Sequence, residues 1–473
     1  MTSIKILFAI PLLLLFSTIN AQLTSTKFSK KELNEDFSIL ISSIEETHPN
    51  PYTVTSKVKF KKQVKKVKEN FKDSLTLKEY YRLISPLVAS LQDGHTRLLF
   101  PGKKILNQDD YLFPFIVKSS IDEPYLKITE HIDSAYSKIP VGAEIISINK
   151  VSSKKIIHKI IENTSGESNS YRLKMGADFN MFSILLSAYY DFNQNDFDIV
   201  YRYNGKKNRM KVDAITIPEM NEIFKKKANT QTKKEEVKDY DFHLKPEIKT
   251  AIITFNYMTD QKKFQEFLKE CFLKIKEDHI ENLIIDIREN GGGNSALGND
   301  LLQYISPVPF SQYKETVIKY SQLQKDFYKF YCEKDSNNCN TYNYIKNKSN
   351  GTFDTIADIR TITPNPINNR FTGKIYLLTS TRTYSSAMNF AQSFKHYKIG
   401  EIIGEETGGW VVSYGDYIPT ELPNTKLKLN ISTKKFYTIG TTNKDLNGVI
   451  PDEKVPAKDA LTNALNKIKN KKS

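Results

Sequence analysis

The chain has 473 residues, 39% of them hydrophobic and 26% charged, with a formal net charge of +15. This is the composition of a globular protein, and it excludes a largely disordered or low-complexity chain. The positive charge comes from lysines spread along the whole length, with no arginine-rich stripe or nucleic-acid motif, so it reads as surface solubility and nucleic acid is not an expected partner.

In chain order, residues 1–21 place Lys5 ahead of an apolar run over 6–16 and then small and polar residues up to Asn20-Ala21. That is the layout of a secretory signal peptide, and the run is short for a membrane span. The expectation is an exported protein, periplasmic or extracellular. No cysteine stands at the cleavage point, so no stable membrane anchor is expected. The roughly 450 residues that remain suffice for about three domains.

Residues 22–105 read as an N-terminal helical domain. Leu33, Phe37, Leu40, Ile41 and Ile44 recur at helical spacing, and His48-Pro49 ends that helix. Phe60, Val64, Val67 and Phe71 mark a second helix with a basic outer face, more often a solvated surface than a binding patch. A third, over 77–91, leads into Asp93-Gly94-His95-Thr96. A lone histidine after a helix is more often structural than catalytic. Its place just beyond Asp93-Gly94 turn chemistry makes His95 accessible.

Residues 106–220 read as β-rich with one helix. The run 140–150, with Gly142 before Glu144-Ile145-Ile146-Ser147-Ile148, looks like the glycine turn and strand of a PDZ domain, followed by a helix near 154–161. Such a domain takes an extended peptide at a sheet edge and its terminal carboxylate on backbone amides. Leu112-Phe113-Pro114-Phe115 is the candidate carboxylate loop, with Pro114 lacking one donor. Residues 178–191 read as an irregular apolar element, and 221–247, polar and lysine-rich, as a linker.

Residues 248–473 alternate strands and helices, the pattern of an α/β domain. A strand over 250–255 and a helix over 263–277 precede Leu283-Ile284-Ile285-Asp286-Ile287, an apolar strand running into Gly291-Gly292-Gly293 and then a helix. A glycine loop between a strand and a helix N-terminus brings bare N–H groups to a ligand and suits negative charge. A second apolar strand, 374–380, breaks into Ser385-Ser386 at the start of another helix, where a nucleophile is held exposed. One unit offers amides and the other a hydroxyl, which together suit acyl transfer through an oxyanion hole. Residues 336–369 read as a surface excursion. Cys332 and Cys339 flank a polar loop suited to a local disulfide, Cys271 fits an apolar helical pattern, and none of the three has metal-ligand spacing.

The runs IIDIRENGGG, YLLTSTRTYSSAMNFAQSF and GEIIGEETGG, with LVASLQDGHTRLLF before them and NGVIPDEKV after, resemble the carboxyl-terminal-processing (tail-specific) and tricorn-core serine peptidases, a group that includes the retinoid-binding-protein repeats. The resemblance covers most of the chain beyond residue 21. It implies a crotonase-like ββα-spiral catalytic domain at 248–473, a PDZ-like domain, and hydrolysis of peptide bonds in unfolded proteins or C-terminal segments without metal or organic cofactor.

Residue by residue, the resemblance makes Ser385 the nucleophile, with oxyanion donors from the backbone of Gly291 or Gly292 and of Ser386. The carboxyl-terminal-processing branch takes its base from a lysine, but here that position is Trp410, and no lysine occurs between Lys398 and Lys426. The tricorn-core branch uses an N-terminal histidine, which points to His95, although Gly94 stands where that branch has serine. His396 lies along the nucleophile's own helix, roughly 15 Å away by the helical rise. An imidazole, with a reference pKa of about 6.5, suits a base at neutral pH. Asp445 is the expected acid behind it, with Glu405 and Asp93 as alternatives. A non-catalytic relative that binds peptides or apolar ligands is the other reading, favoured by the missing lysine and by Met388 in place of a glutamate common in the family.

Overall fold

The structure is a computed structural model that describes residues 26–470 apart from 108, 124, 134–137, 178–180, 193–194, 231–236 and 358–360. The proposed signal peptide over 1–21 lies outside the described residues. The described residues divide into two compact units, one within 26–236 together with 417–431, the other within 237–416 and 432–470. Among the described residues no helix is long and apolar enough to cross a membrane.

The first unit opens with α1 (Lys30–Thr47), α2 (Lys57–Glu69) and α3 (Leu77–Ala89). Capping boxes start two of them, Ser29 with Glu32 on α1 and Thr76 with Glu79 on α3, each satisfying two N–H groups that helix geometry leaves free. Leu33, Phe37, Leu40 and Ile44 fall on one side of α1 and are buried. Phe71 packs edge-on against both Phe37 and Tyr80. At the end of α1, Pro49 disfavours helical geometry in the residue before it, and His48 is extended at φ −67°, ψ 133°.

After the short strand β1 (Arg97–Leu98) come β2 (Phe115–Lys118), β3 (Leu126–His131), β4 (Glu144–Ile148), α4 (Ser153–Asn163), α5 (Asn169–Ala177), α6 (Met181–Tyr189), β5 (Asp196–Tyr203), β6 (Lys206–Asp213) and α7 (Ile217–Thr230). The sheet order is β6-β5-β4-β3-β2, antiparallel throughout. Where one helix was expected there are three, since the aromatic run read as irregular forms α6. The helical and β-rich segments, expected as separate domains, pack as one unit. Ser85 on α3 donates to Asn163 Oδ1 at the end of α4 at 2.6 Å, Arg172 donates to the Ala89 carbonyl at 2.9 Å, and Arg82 grips Asp191 with two bonds of 2.8 and 2.9 Å.

Two further expectations are corrected here. Leu112, Phe113 and Phe115 are core rather than an open carboxylate loop, with Phe113 edge-on to Phe115, Phe182 and Phe197. The lysine-rich segment expected as a linker is helical through Thr230 and becomes a strand at Tyr240. Thr216 and Glu219 form a reciprocal cap at the start of α7, and Ile217 and Met220 are buried, so local capping and an apolar face override the polar composition.

The second unit is built on a six-stranded sheet. Its elements are β7 (Tyr240–Lys245), β8 (Thr250–Phe255), α8 (Gln261–Glu277), β9 (Asn282–Asp286), α9 (Ala296–Ile305), β10 (Tyr313–Lys319), α10 (Gln322–Lys334), α11 (Cys339–Ile345), β11 (Phe353–Ala357), β12 (Lys374–Thr379), α12 (Ser386–His396), β13 (Glu401–Gly404), β14 (Val412–Glu421), β15 (Lys428–Thr438), β16 (Glu453–Lys454) and α13 (Ala460–Asn470). The main order is β7-β8-β9-β12-β13-β16, antiparallel at its first pair and parallel thereafter. A second sheet runs β11-β10-β15-β14.

Both faces of the main sheet are covered. Leu283, Ile285, Ile375 and Leu377 pack with Leu268, Leu301 and Phe390 of α8, α9 and α12. The alternate residues Ile284, Tyr376, Leu378 and Ile403 pack on Ala460, Ala464 and Ile468 of α13. A parallel strand buried on both faces must be apolar at every position, which explains the unbroken run of β9. Cys332 and Cys339 form a disulfide between α10 and α11, so the excursion over 336–369 carries structure of its own. Cys271 is buried in the core, and burial pushes its thiol up to about 12.

Candidate active site

β9 and β12 lie side by side and parallel, Asp286 opposite Leu378, so the loops that leave their carboxyl ends emerge together. That is where open α/β sheets present ligand sites. The glycine loop follows β9, and Ser385 stands directly before α12.

Ser385 has φ 53° and ψ −128°, a backbone geometry rare for a residue with a side chain and costing about 1–3 kcal/mol. Such strain persists only where the surroundings over-determine it. Here they do: Tyr384 N–H donates to the Asn290 carbonyl at 3.1 Å, Gly408 N–H to the Thr383 carbonyl at 3.0 Å, and Ala387 N–H to the Tyr384 carbonyl at 3.1 Å. Thr383 Oγ1 also donates to the Ile287 carbonyl at 2.9 Å. The consequence is exposure, since Ser385 is partly open while Thr383, Tyr384, Ser386 and Ala387 are buried. Ser386 is no rival nucleophile, because its hydroxyl donates to the Gly293 carbonyl at 2.7 Å.

The glycine loop touches this turn. At Gly292, with φ 96°, a Cβ would stand 2.8 Å from Ser385 Cβ, 2.8 Å from the Tyr384 carbonyl and 2.9 Å from Ser386 N. Only glycine permits that approach. Its own N–H, expected as an oxyanion donor, instead donates to Asn290 Oδ1 at 2.9 Å. Gly291, the other expected donor, is exposed with open space around it. Asn290, fully buried, also donates its Nδ2 to the Phe255 carbonyl at 2.8 Å, tying the loop to β8. Asparagine is a usual turn residue, but nothing in its spacing distinguished Asn290 as the loop's support. Tyr313 from β10 was likewise unmarked in sequence. Its hydroxyl accepts from Asn389 Nδ2 at 2.7 Å on α12.

His396 ends α12, far along it from Ser385. Trp410, where the related branch has lysine, is buried. Glu405 takes Thr381 N–H at 3.2 Å, Thr381 Oγ1 at 3.0 Å and Ala457 N–H at 3.0 Å, a structural role. Asp445 spends its carboxylate on its own turn, accepting from Thr442 N–H at 2.7 Å and Thr442 Oγ1 at 2.9 Å.

His95 belongs to the first unit, where the carboxylate beside it is Asp93, one of the alternatives to Asp445. Asp93 Oδ1 accepts the His95 backbone N–H at 2.9 Å and lies 3.8 Å from His95 Nδ1. Burial pushes the Asp93 carboxyl up, but hydrogen bonds and charge from His48 and His95 outweigh it and hold the group well below the usual carboxylate range. Residues 417–431 support the histidine from the other side. Leu429 and Asn430 pair with Leu98 and Arg97 of β1, and the Tyr417 ring lies 6.4 Å from the His95 ring. This tip is anchored on α1, where the buried Asp36 accepts from Asn424 N–H at 2.9 Å, Thr425 N–H at 2.8 Å and Thr425 Oγ1. Asp93, His95 and the buried Glu167 bring one donor atom each within 4.8 Å of one another, a set of donor types able to hold a metal ion. Glu167 also accepts the Gly94 N–H at 3.4 Å.

Residues 249–455 match the family described as peptidase family S41. Residues 249–455 are thus similar to the S41 peptidases, and the chain is a serine-type peptidase. The matched segment holds the glycine loop and the Ser385 turn, whereas His95 lies outside it. Among solved structures the chain is similar to mature CPAF complexed with lactacystin, with a TM-score of 0.64 and 14% identity over 93% of this chain and 98% of that one. It is also similar to the photosystem II D1 C-terminal processing protease (TM-score 0.42, 11% identity, 90% of this chain and 94% of that one), and to a putative peptidase from Parabacteroides merdae (TM-score 0.47, 14% identity, 93% and 97%). At these identities the likeness to CPAF speaks for the fold alone. No curated protein sequence matches the chain.

Proposed function

We propose that this serine-type peptidase acts in the manner of the S41 family as an exported endopeptidase that cuts unfolded chains or C-terminal segments, with Ser385 as nucleophile and His95 as general base. The observation that carries it is the strained turn at Ser385, φ 53° and ψ −128°, beside a glycine loop. His95 would take the Ser385 proton, and the hydroxyl oxygen would attack the scissile carbonyl. The resulting oxyanion would be held by the N–H groups of Gly291 and Ser386. Gly292 contributes by its lack of a side chain, which lets the loop reach Ser386. Trp410 in the lysine position argues against a Ser-Lys pair, and Asp93 beside His95 supports an imidazole base.

Other parts of the reading rest on resemblance: a crotonase-like spiral for 248–473, a PDZ-like role for the β6-to-β2 sheet, and export by residues 1–21.

The test is cleavage of an unfolded-peptide library by the protein, read by mass spectrometry, with Ser385→Ala and His95→Ala beside it and a fluorophosphonate probe to label the nucleophile. The likeness to CPAF makes lactacystin a second probe. Cuts that vanish in both variants and label confined to Ser385 are expected. Normal cutting by His95→Ala would overturn the base assignment, and a wild type that neither cuts nor labels would overturn the enzyme reading.

A further inference from the structure

The histidine that ends α1 has no part in the reaction as drawn so far, yet it is bound to the machinery. His48 is 1% exposed and its Nε2 lies 3.2 Å from Asp93 Oδ2, itself fully buried. Its other ring nitrogen, Nδ1, accepts the Asn50 backbone N–H at 3.1 Å. A backbone N–H only donates, so Nδ1 carries a lone pair and the ring proton is on Nε2. That Nε2–H is aimed at Asp93.

The tautomer is set by the chain itself. Pro49 holds His48 extended at the end of α1, and the His48 N–H donates to the Ile44 carbonyl at 2.9 Å, which fixes the residue to the helix. Asn50 then turns back one residue beyond the proline and reaches Nδ1, while its Oδ1 takes the Tyr52 N–H at 3.2 Å.

Asp93 has two oxygens and two histidines. Oδ2 takes the His48 proton, while Oδ1 takes the His95 backbone N–H at 2.9 Å and stands 3.8 Å from His95 Nδ1. A carboxylate there favours the His95 tautomer with its proton on Nδ1, in which Nε2 is the basic nitrogen that a serine proton would go to. The separation is long for a bond, as such contacts often are before substrate binds. A buried carboxylate keeps its charge and its plane only if its oxygens are held by donors. His48 holds one of them, Oδ2.

We infer that His48 is a positioning residue of this peptidase: its Nε2–H holds the Asp93 carboxylate in the plane that orients the His95 imidazole. The inference rests on His95 being the base.

Two variants and two readouts test it. Glutamine places its Nε2 donor where a histidine places its own, so His48→Gln keeps a donor to Asp93, whereas His48→Leu removes it with similar bulk. For peptide cleavage, His48→Leu is expected to lower kcat about tenfold to a hundredfold with KM within about twofold, and His48→Gln to recover most of the loss. Thermal unfolding of both variants shows whether either is simply unfolded. The second readout is nitrogen-15 NMR of histidine-labelled protein, which needs no activity. Wild type is expected to show His48 protonated on Nε2 alone and His95 on Nδ1, with the His95 preference lost in His48→Leu and kept in His48→Gln. Unchanged kcat in folded His48→Leu, no recovery in folded His48→Gln, a proton on His48 Nδ1, or a His95 tautomer indifferent to His48→Leu would each overturn the inference. Wild type without cleavage would instead fail the peptidase reading, and the NMR arm would still decide the role of His48.

Discussion

The Ser386 hydroxyl donates to the carbonyl of Gly293 at 2.7 Å, joining the loop after β9 to the first turn of α12. Through that bond the side chain next to the nucleophile is spent on structure, and the glycine loop is clamped against the turn that strains Ser385. Gly292 is the point of closest approach, so a methyl group there would push the two loops apart. Gly292→Ala is expected to fold and to lose at least about a hundredfold in kcat, the scale of removing one oxyanion donor. Peptide cleavage kinetics alongside circular dichroism check it, and an active Gly292→Ala would show that this contact does not hold the site.

Asn290 supports the same loop from beneath, with Nδ2 on the Phe255 carbonyl and Oδ1 on the Gly292 N–H. Asn290→Ala leaves the buried Phe255 carbonyl and the part-buried Gly292 N–H without those partners, the buried group alone at about 1–3 kcal/mol. Urea unfolding is expected to show a loss of about 2–4 kcal/mol, with activity falling further than stability because the loop beside Ser385 loosens.

Asp36 ties α1 to Asn424 and Thr425, and the tip so anchored also pairs with the strand that follows His95. Removing a buried, hydrogen-bonded carboxylate leaves several donors unsatisfied. Asp36→Ala is expected to cost about 3 kcal/mol or more and to open residues 422–427 to proteolysis before the rest of the chain. Limited proteolysis with mass-spectrometric mapping reads this directly, and an uncut tip would show that other contacts suffice.

Acid stability follows from Asp93. Its native carboxyl lies well below the usual range because His48 and His95 outweigh the burial penalty. A group with a lowered folded pKa contributes stability that is complete above its unfolded value, about 3.9, and that is lost as pH falls through the native one. Wild type is therefore expected to keep this contribution down to strongly acidic pH. In His48→Leu the burial penalty stays while one opposing bond goes, so the native value rises and the acid-unfolding midpoint should move to higher pH. Tyrosine and Trp410 fluorescence across an acid titration would show the shift, and coincident midpoints would contradict it.

Thiol chemistry separates the three cysteines. Cys332 and Cys339 are joined and Cys271 is buried with its thiol raised to about 12. A thiol reagent is expected to find no cysteine in the native, unreduced protein and one per chain in denaturant. Fast native labelling would place Cys271 outside the core.

Much of the second unit was legible because its central strands, β9 and β12, are buried on both faces. The alternation of Ile284 and Tyr376 toward α13 with Ile285 and Leu377 toward α8, α9 and α12 leaves no polar position, and a run of that kind ending in glycines has few other meanings. The serine turn was legible for a similar reason, since the break from β12 into α12 is local. The linker was misread because composition hides capping: Glu219 sits in a lysine-rich stretch, yet with Thr216 it starts a helix. That the helical and β-rich segments fall in one compact unit was not legible, because Ser85 with Asn163 and Arg172 with Ala89 join residues about eighty positions apart.

The sequence by itself determined the α/β alternation, the glycine loop, the exposed serine at a strand-to-helix turn and the absence of a lysine where a related branch keeps its base. These are properties of neighbours along the chain, governed by periodicity and turn chemistry. Only the tertiary structure decided that Gly292 spends its N–H on Asn290, that Asp445 serves its own turn, and that Asp93 stands between His48 and His95. Those outcomes depend on which donor reaches which acceptor across tens of residues, and a hydrogen bond is set by ångströms and angles that no spacing in sequence encodes.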